Sequence, residues 1–198
     1  METTFTESKQ TILDAAEVII AQSGYGGLSM RELSRESGLA KSTLYHYFHD
    51  KHEIYVHVIE RDMLAIHEAI EAAANIDGDP VERLHAVIKT QFRLLNERGD
   101  IAFHALRRAG GLDDQLLEVF RQHRSQIIGP IIEVLDRGIQ EGLFRPVDTE
   151  LTVMSIFGLV NGFYAQQVIF GETSLDSARS EDEVINHTLS LLLDGIRM

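Results

Sequence analysis

The segment Ala40-Lys-Ser-Thr-Leu-Tyr-His-Tyr47 concentrates hydrogen-bond donors on eight residues whose spacing predicts a short helix. Lys41, Ser42 and Thr43 can donate to phosphate oxygens or base edges, and Tyr45 and Tyr47 can reach a sugar-phosphate backbone. The small residues among them permit close approach. A second short helical run, 30–36, is joined to 40–47 by Ser37-Gly38-Leu39. Two short helices with a glycine in the turn have the spacing of a helix-turn-helix, whose second helix enters a major groove. Ordinary helical proteins also contain such pairs, so the spacing alone leaves DNA binding and plain packing as alternatives.

Other chemistries find less support. The absence of cysteine excludes disulfides, thiolate metal sites and cysteine nucleophiles. No phosphate-binding loop, Gly-x-Ser-x-Gly elbow or His-Glu-x-x-His zinc helix occurs. Glu82-x-x-His85 is one half of a di-iron bundle motif, which needs two copies. A helical enzyme or metal carrier built on Glu82, His85 and His104 is therefore the rival reading. The expectation is no enzyme, no cofactor and no metal. Aromatic residues Phe92, Phe103, Phe120, Phe157 and Tyr164, interspersed with His67, His104 and Asn161, fit either an apolar ligand pocket with polar anchors or ordinary core. Arg107 and Arg108 could attract an acidic group to its mouth.

The elements that must position these residues are helical almost throughout. Capping boxes stand at Ser29/Glu32, Asp50/Glu53, Asp79/Glu82 and Ser180/Glu183. Leu28 and Leu33 flank the first as a hydrophobic staple, and Pro80 follows the third where a missing N–H is harmless. Gly24, Gly38, Gly99 and Gly142 stand where helices should end. The pattern predicts an all-α protein of about nine helices, near 7–23, 30–36, 40–47, 51–74, 80–97, 100–108, 114–141, 149–170 and 181–197. Ile12, Ala16, Ile19 and Ile20 give the first helix one apolar face, and Pro130 should kink the seventh.

Leu151 to Gly171 carries no charge and is long enough to span a bilayer, with Gly158-x-x-x-Gly162 as a membrane-type pairing pattern. Thr152, Ser155, Asn161, Gln166 and Gln167 interrupt it, and its flanks Asp148, Glu150 and Glu172 are acidic. A helix uncharged on every side is also what double burial demands. Ser155, Gly158, Gly162 and Ala165 form a stripe of small residues at which another helix can approach closely. This is read as a dimer core and not as a membrane span.

The net charge of −13 is unevenly distributed: Ser29 to His52 carries +1 and the remainder −14. An acidic body would repel DNA and confine contact to one face. The polar, acidic start Met1 to Glu7 is no signal peptide, which makes a cytoplasmic protein the expectation.

From Ile12 to Ile59 the wording closely resembles the tetracycline-repressor (TetR) family: Gly24-Tyr25, Ser29-Met-Arg-Glu-Leu33, Gly38, Thr43-Leu-Tyr-x-Tyr-Phe48 and Lys51. The resemblance implies a three-helix DNA-binding head over 1–50 and an effector-binding, dimerising domain over 51–198. It implies that Ser29 caps the second helix and touches phosphate, and that Arg31 can reach a base edge. Lys41, Ser42 and Thr43 would face the groove, with Tyr45, His46 and Tyr47 clustered at the phosphates and Lys51 paired with phosphate. Many members have Ser or Thr where Ala40 stands, so one phosphate contact is missing here. The eighth and ninth helices would pair with those of a second copy. His67 would line the pocket, on the fourth helix leading to the head. The implied function is a homodimeric repressor on a palindromic double-stranded operator, released by a small, largely apolar effector. A constitutive DNA binder without effector is the alternative.

Overall fold

The computed structural model describes the backbone of residues 2–109, 113–170 and 181–196, and the side chains of 7–97, 113–166 and 182–196. Its elements are α1 (Glu2–Gly27), α2 (Met30–Ser37), α3 (Lys41–Tyr47), α4 (Lys51–Ala74), α5 (Pro80–Ala109), α6 (Asp114–Gln140), α7 (Thr149–Phe170) and α8 (Glu181–Ile196). Among the described residues the fold is all-α, as the spacing predicts. The described residues form eight helices, close to the nine expected, because α5 continues through Gly99, where a stop is expected. A glycine inside a helix costs only about 1 kcal/mol relative to alanine, which packing on both sides can outweigh.

The chain forms two compact units. The first comprises 1–65 with 100–122, and the second 66–99 with 123–198. The first unit thus extends past residue 50 to take in the start of α4. Its core joins α1 residues Ile12, Ala16, Ile19 and Ile20 to Leu28, Leu33, Leu44, Phe48, Ile54, Tyr55, Val58 and Ile59, all buried. In the second unit Ile70, Leu84, Val87, Ile88, Phe92, Ile131, Leu135, Phe144, Val153, Ile156, Val160 and Leu189 form one apolar cluster.

The capping boxes are made to different degrees. Asp79 and Glu82 exchange both bonds, each backbone N–H donating 2.9 Å to the other's carboxylate. Ser29 Oγ accepts from Glu32 N at 3.2 Å, but the Glu32 carboxylate turns to Arg35 instead of back to the cap. Asp50 Oδ1 accepts from the N–H groups of His52 and Glu53, while Glu53 accepts from His49 N. The Ser180 box lies outside the described residues. Gly24 (φ 61°) interrupts α1 and Gly38 (φ 70°) terminates α2 in the left-handed region, where a side chain would be strained.

Pro130 leaves α6 a single element. Proline has no N–H to give the carbonyl four residues back, so Gln126 O loses its helical donor. His67 Nδ1 supplies one from α4, 2.9 Å away. Because the acceptor is a carbonyl, the proton sits on Nδ1.

Candidate DNA-binding surface and effector domain

The side chains of α3 divide cleanly. Leu44 and Phe48 are buried, whereas Lys41, Ser42, Tyr45, His46 and His49 are exposed. Lys41, Ser42, Tyr45 and His46 follow i, i+1, i+4 and i+5, a single helical face turned to solvent, with His49 exposed just beyond the helix end. Tyr45 is 58% exposed. Thr43 and Tyr47 sit half-buried at the edge of the face, and the Tyr47 ring meets His46 edge-on at 5.2 Å between centroids. Arg31 on α2 is also exposed.

Local bonds hold this face rigid. Ser34 Oγ donates to Leu39 O at 2.7 Å, and Ser37 Oγ donates to Leu33 O at 2.6 Å while accepting from Leu39 N at 3.3 Å. The two serines stitch the turn between α2 and α3, a role the sequence reading did not give them. Their positions, one turn before and immediately before Gly38, were the available signal. Ala40 opens α3 in extended conformation without a side-chain cap, as its methyl group dictates.

Two cations of α4 make contacts within the unit. Lys51 Nζ donates to Leu28 O at 3.0 Å and lies 4.4 Å from the centre of the Tyr25 ring. It ties the start of α4 to the loop between α1 and α2, so its ammonium already has internal partners, whatever it offers to a phosphate. Arg61, which sequence reasoning missed, reaches from α4 to Asp14 (2.6 Å) and Glu17 (2.5 Å) of α1. An arginine 47 residues from its partner leaves no local pattern to read. Hydrogen bonds to the carboxylate, chiefly that from Glu53 N, hold Asp50 below its ordinary pKa of 3.8.

The residues proposed for a pocket are distributed over both units. His67, Phe92, Phe157, Asn161 and Tyr164 belong to the second unit and Phe120 to the first; the side chains of Phe103, His104, Arg107 and Arg108 lie outside the described residues. His67 is engaged by Gln126, so its proton-bearing nitrogen is not free for a guest. Phe92 is buried against Phe163, ring centres 6.1 Å apart. Phe120, Phe157 and Tyr164 are half-buried, and Asn161 is exposed. A cleft of about 330 Å3 in the second unit is lined by Phe163, Glu183, Val184 and His187. Glu82 is committed to its capping box and His85 is exposed.

Along α7, Ser155, Gly158 and Gly162 face solvent and Ala165 is half-buried. A Cβ built on either glycine meets nothing within 4 Å. Leu151, Met154 and Leu159 are exposed on the same helix, and Leu191 on α8. No described helix is long and apolar enough to cross a membrane.

The family described as bacterial regulatory proteins, tetR family, matches residues 12–58, and the tetracyclin repressor-like C-terminal domain matches 77–165. The chain belongs to the TetR family. It is accordingly a DNA-binding transcriptional regulator. Over 190 residues it is 27% identical to the fatty acid metabolism regulator protein of Bacillus subtilis, covering 93% of each chain. It is 30% identical over 103 residues to the transcriptional repressor KstR of Mycolicibacterium smegmatis, covering 52% of this chain and 50% of that one. Among solved structures, a Clostridium perfringens protein assigned as a fatty acid metabolism regulator superposes with a TM-score of 0.75 at 28% identity, covering 95% of this chain and 99% of that one. These relatives are regulators, and TetR-family regulators bind operator DNA, respond to small molecules and dimerise.

Proposed function

We propose that this TetR-family regulator is a cytoplasmic, homodimeric repressor that reads its operator through α3 and leaves it on binding a small, largely apolar effector. The exposed face of Lys41, Ser42, Tyr45 and His46, opposite the buried Leu44 and Phe48, carries the DNA-reading half of this proposal. Lys41, Ser42 and Thr43 are assigned to the groove, Tyr45, His46 and Tyr47 to the flanking phosphates, and Arg31 to a base edge. Ser29 serves α2 as its cap and approaches phosphate from there. The functional boundary is placed near Asp50, with 1–50 as the head and 51–198 as the effector and dimer domain.

The dimer contact is assigned to α7 and α8, the expected eighth and ninth helices. The open flank of Gly158 and Gly162 and the exposed leucines beside them support it. For the effector, the support is the apolar cluster of the second unit and the fatty-acid regulators among the relatives. A catalytic or metal-carrying role for Glu82, His85 and His104 is set aside because Glu82 already closes its cap.

Footprinting on the DNA upstream of the regulator's own gene tests the proposal, with half-site centres expected about 34–36 Å apart or slightly more. Lys41→Ala/Tyr45→Ala protein should keep its fold and lose the footprint. An unchanged footprint from the double variant refutes the assignment of α3.

A further inference from the structure

Gln91, on α5, is 95% buried by its 5% exposure, and neither its amide nitrogen nor its amide oxygen has a hydrogen-bond partner. By helical spacing it shares a face with Val87 and Ile88 on one side and Leu94 and Leu95 on the other, all members or neighbours of the second unit's apolar cluster. A buried amide in such surroundings loses its water without replacement, which is among the more costly arrangements a core can hold. Native interiors satisfy such groups with protein, with water or with a ligand.

We infer that Gln91 reads the polar head of the effector, and that this head is uncharged. The inference rests on the effector reading given above and adds the chemistry of recognition. The amide offers a donor pair at Nε2 and an acceptor at Oε1, so its complement both accepts and donates: an amide, an alcohol or an undissociated carboxyl. An anion satisfies only Nε2 and sets its charge against the carbonyl dipole. The effector is thereby a neutral amphiphile, with an apolar body against the cluster and a hydrogen-bonding head at Gln91.

Three probes of one chain length separate the alternatives: decanamide, methyl decanoate and decanoate, titrated into the full-length protein with thermal unfolding as readout. Wild type should bind decanamide about tenfold more tightly than the ester, which can only accept, or the carboxylate, as one additional neutral hydrogen bond implies. Gln91→Leu should weaken decanamide more than the ester, abolishing the preference between them, and raise the ligand-free melting temperature. Gln91→Met, closer in length, serves if leucine packs badly. Equal binding of amide and ester, tighter binding of decanoate, or a preference that survives both substitutions overturns the inference and marks Gln91 as an amide satisfied by buried water. The apolar effector itself would survive those results. Binding of none of the three probes removes the apolar effector and this inference with it.

Discussion

Gly158→Leu puts the proposed dimer face to a test in which the single chain and the assembly respond with opposite signs. Within one chain the new side chain meets nothing, since even its Cβ has open space to 4 Å. Replacing a glycine inside α7 by a better helix former should stabilise the isolated fold by roughly 0.5–1 kcal/mol. At a close helix–helix contact the same leucine overpacks, at about 1–3 kcal/mol per site. A two-fold contact meets each substitution twice, giving roughly 2–6 kcal/mol, or about 30-fold to more than 10^4-fold weaker association. Sedimentation velocity across a wide concentration range reads the dissociation constant, and denaturant unfolding of the dilute protein reads the monomer. The expected outcome is a well-folded monomer that has lost its operator footprint. A variant that dimerises with the wild-type constant would show that the glycine stripe faces water for some other reason, and α7 would have to be withdrawn from the interface.

Other expectations follow from single contacts. Lys51→Met should lower stability by roughly 1–3 kcal/mol, from the lost bond to Leu28 O and the lost contact with the Tyr25 ring, read as a drop in melting temperature. A variant as stable as wild type would mean that Lys51 serves DNA alone. Arg61→Ala should cost no more than about 1 kcal/mol for each half-exposed pair it removes, yet weaken the operator complex by loosening α1 against α4. Operator affinity equal to wild type's would dismiss that positioning role. Asp50 has a lowered folded-state pKa, so its contribution is present above 3.8 and lost as pH falls through the folded value. Asp50→Ala should destabilise by about 1 kcal/mol at neutral pH, with the gap to wild type closing below pH 4. A constant gap down to pH 2 would contradict the cap.

Much of the molecule was decided locally and was legible before any coordinates. The glycine at 38, the staple at Leu28 and Leu33 and the alternation of buried Leu44 and Phe48 with exposed Lys41 and Tyr45 are short-range patterns. They fix α2 and α3 whatever the rest of the chain does. Helix starts were readable for the same reason, because a cap is a contact between residues three apart. Gly99 misled because a glycine's local preference against helix is weak, about 1 kcal/mol, and does not by itself force a stop. Tertiary structure alone decided where the polar side chains went. Lys51 turned to a carbonyl 23 residues away, Arg61 bridged to α1, and His67 satisfied the carbonyl that Pro130 had left without a donor on another helix. Gln91 passed unnoticed because an amide at a core position on an apolar face reads like any other glutamine. Its burial and its missing partners exist only once the helices are packed around it. Local spacing specifies backbone conformation, whereas the fate of a long polar side chain depends on which distant groups the fold brings within about 3 Å.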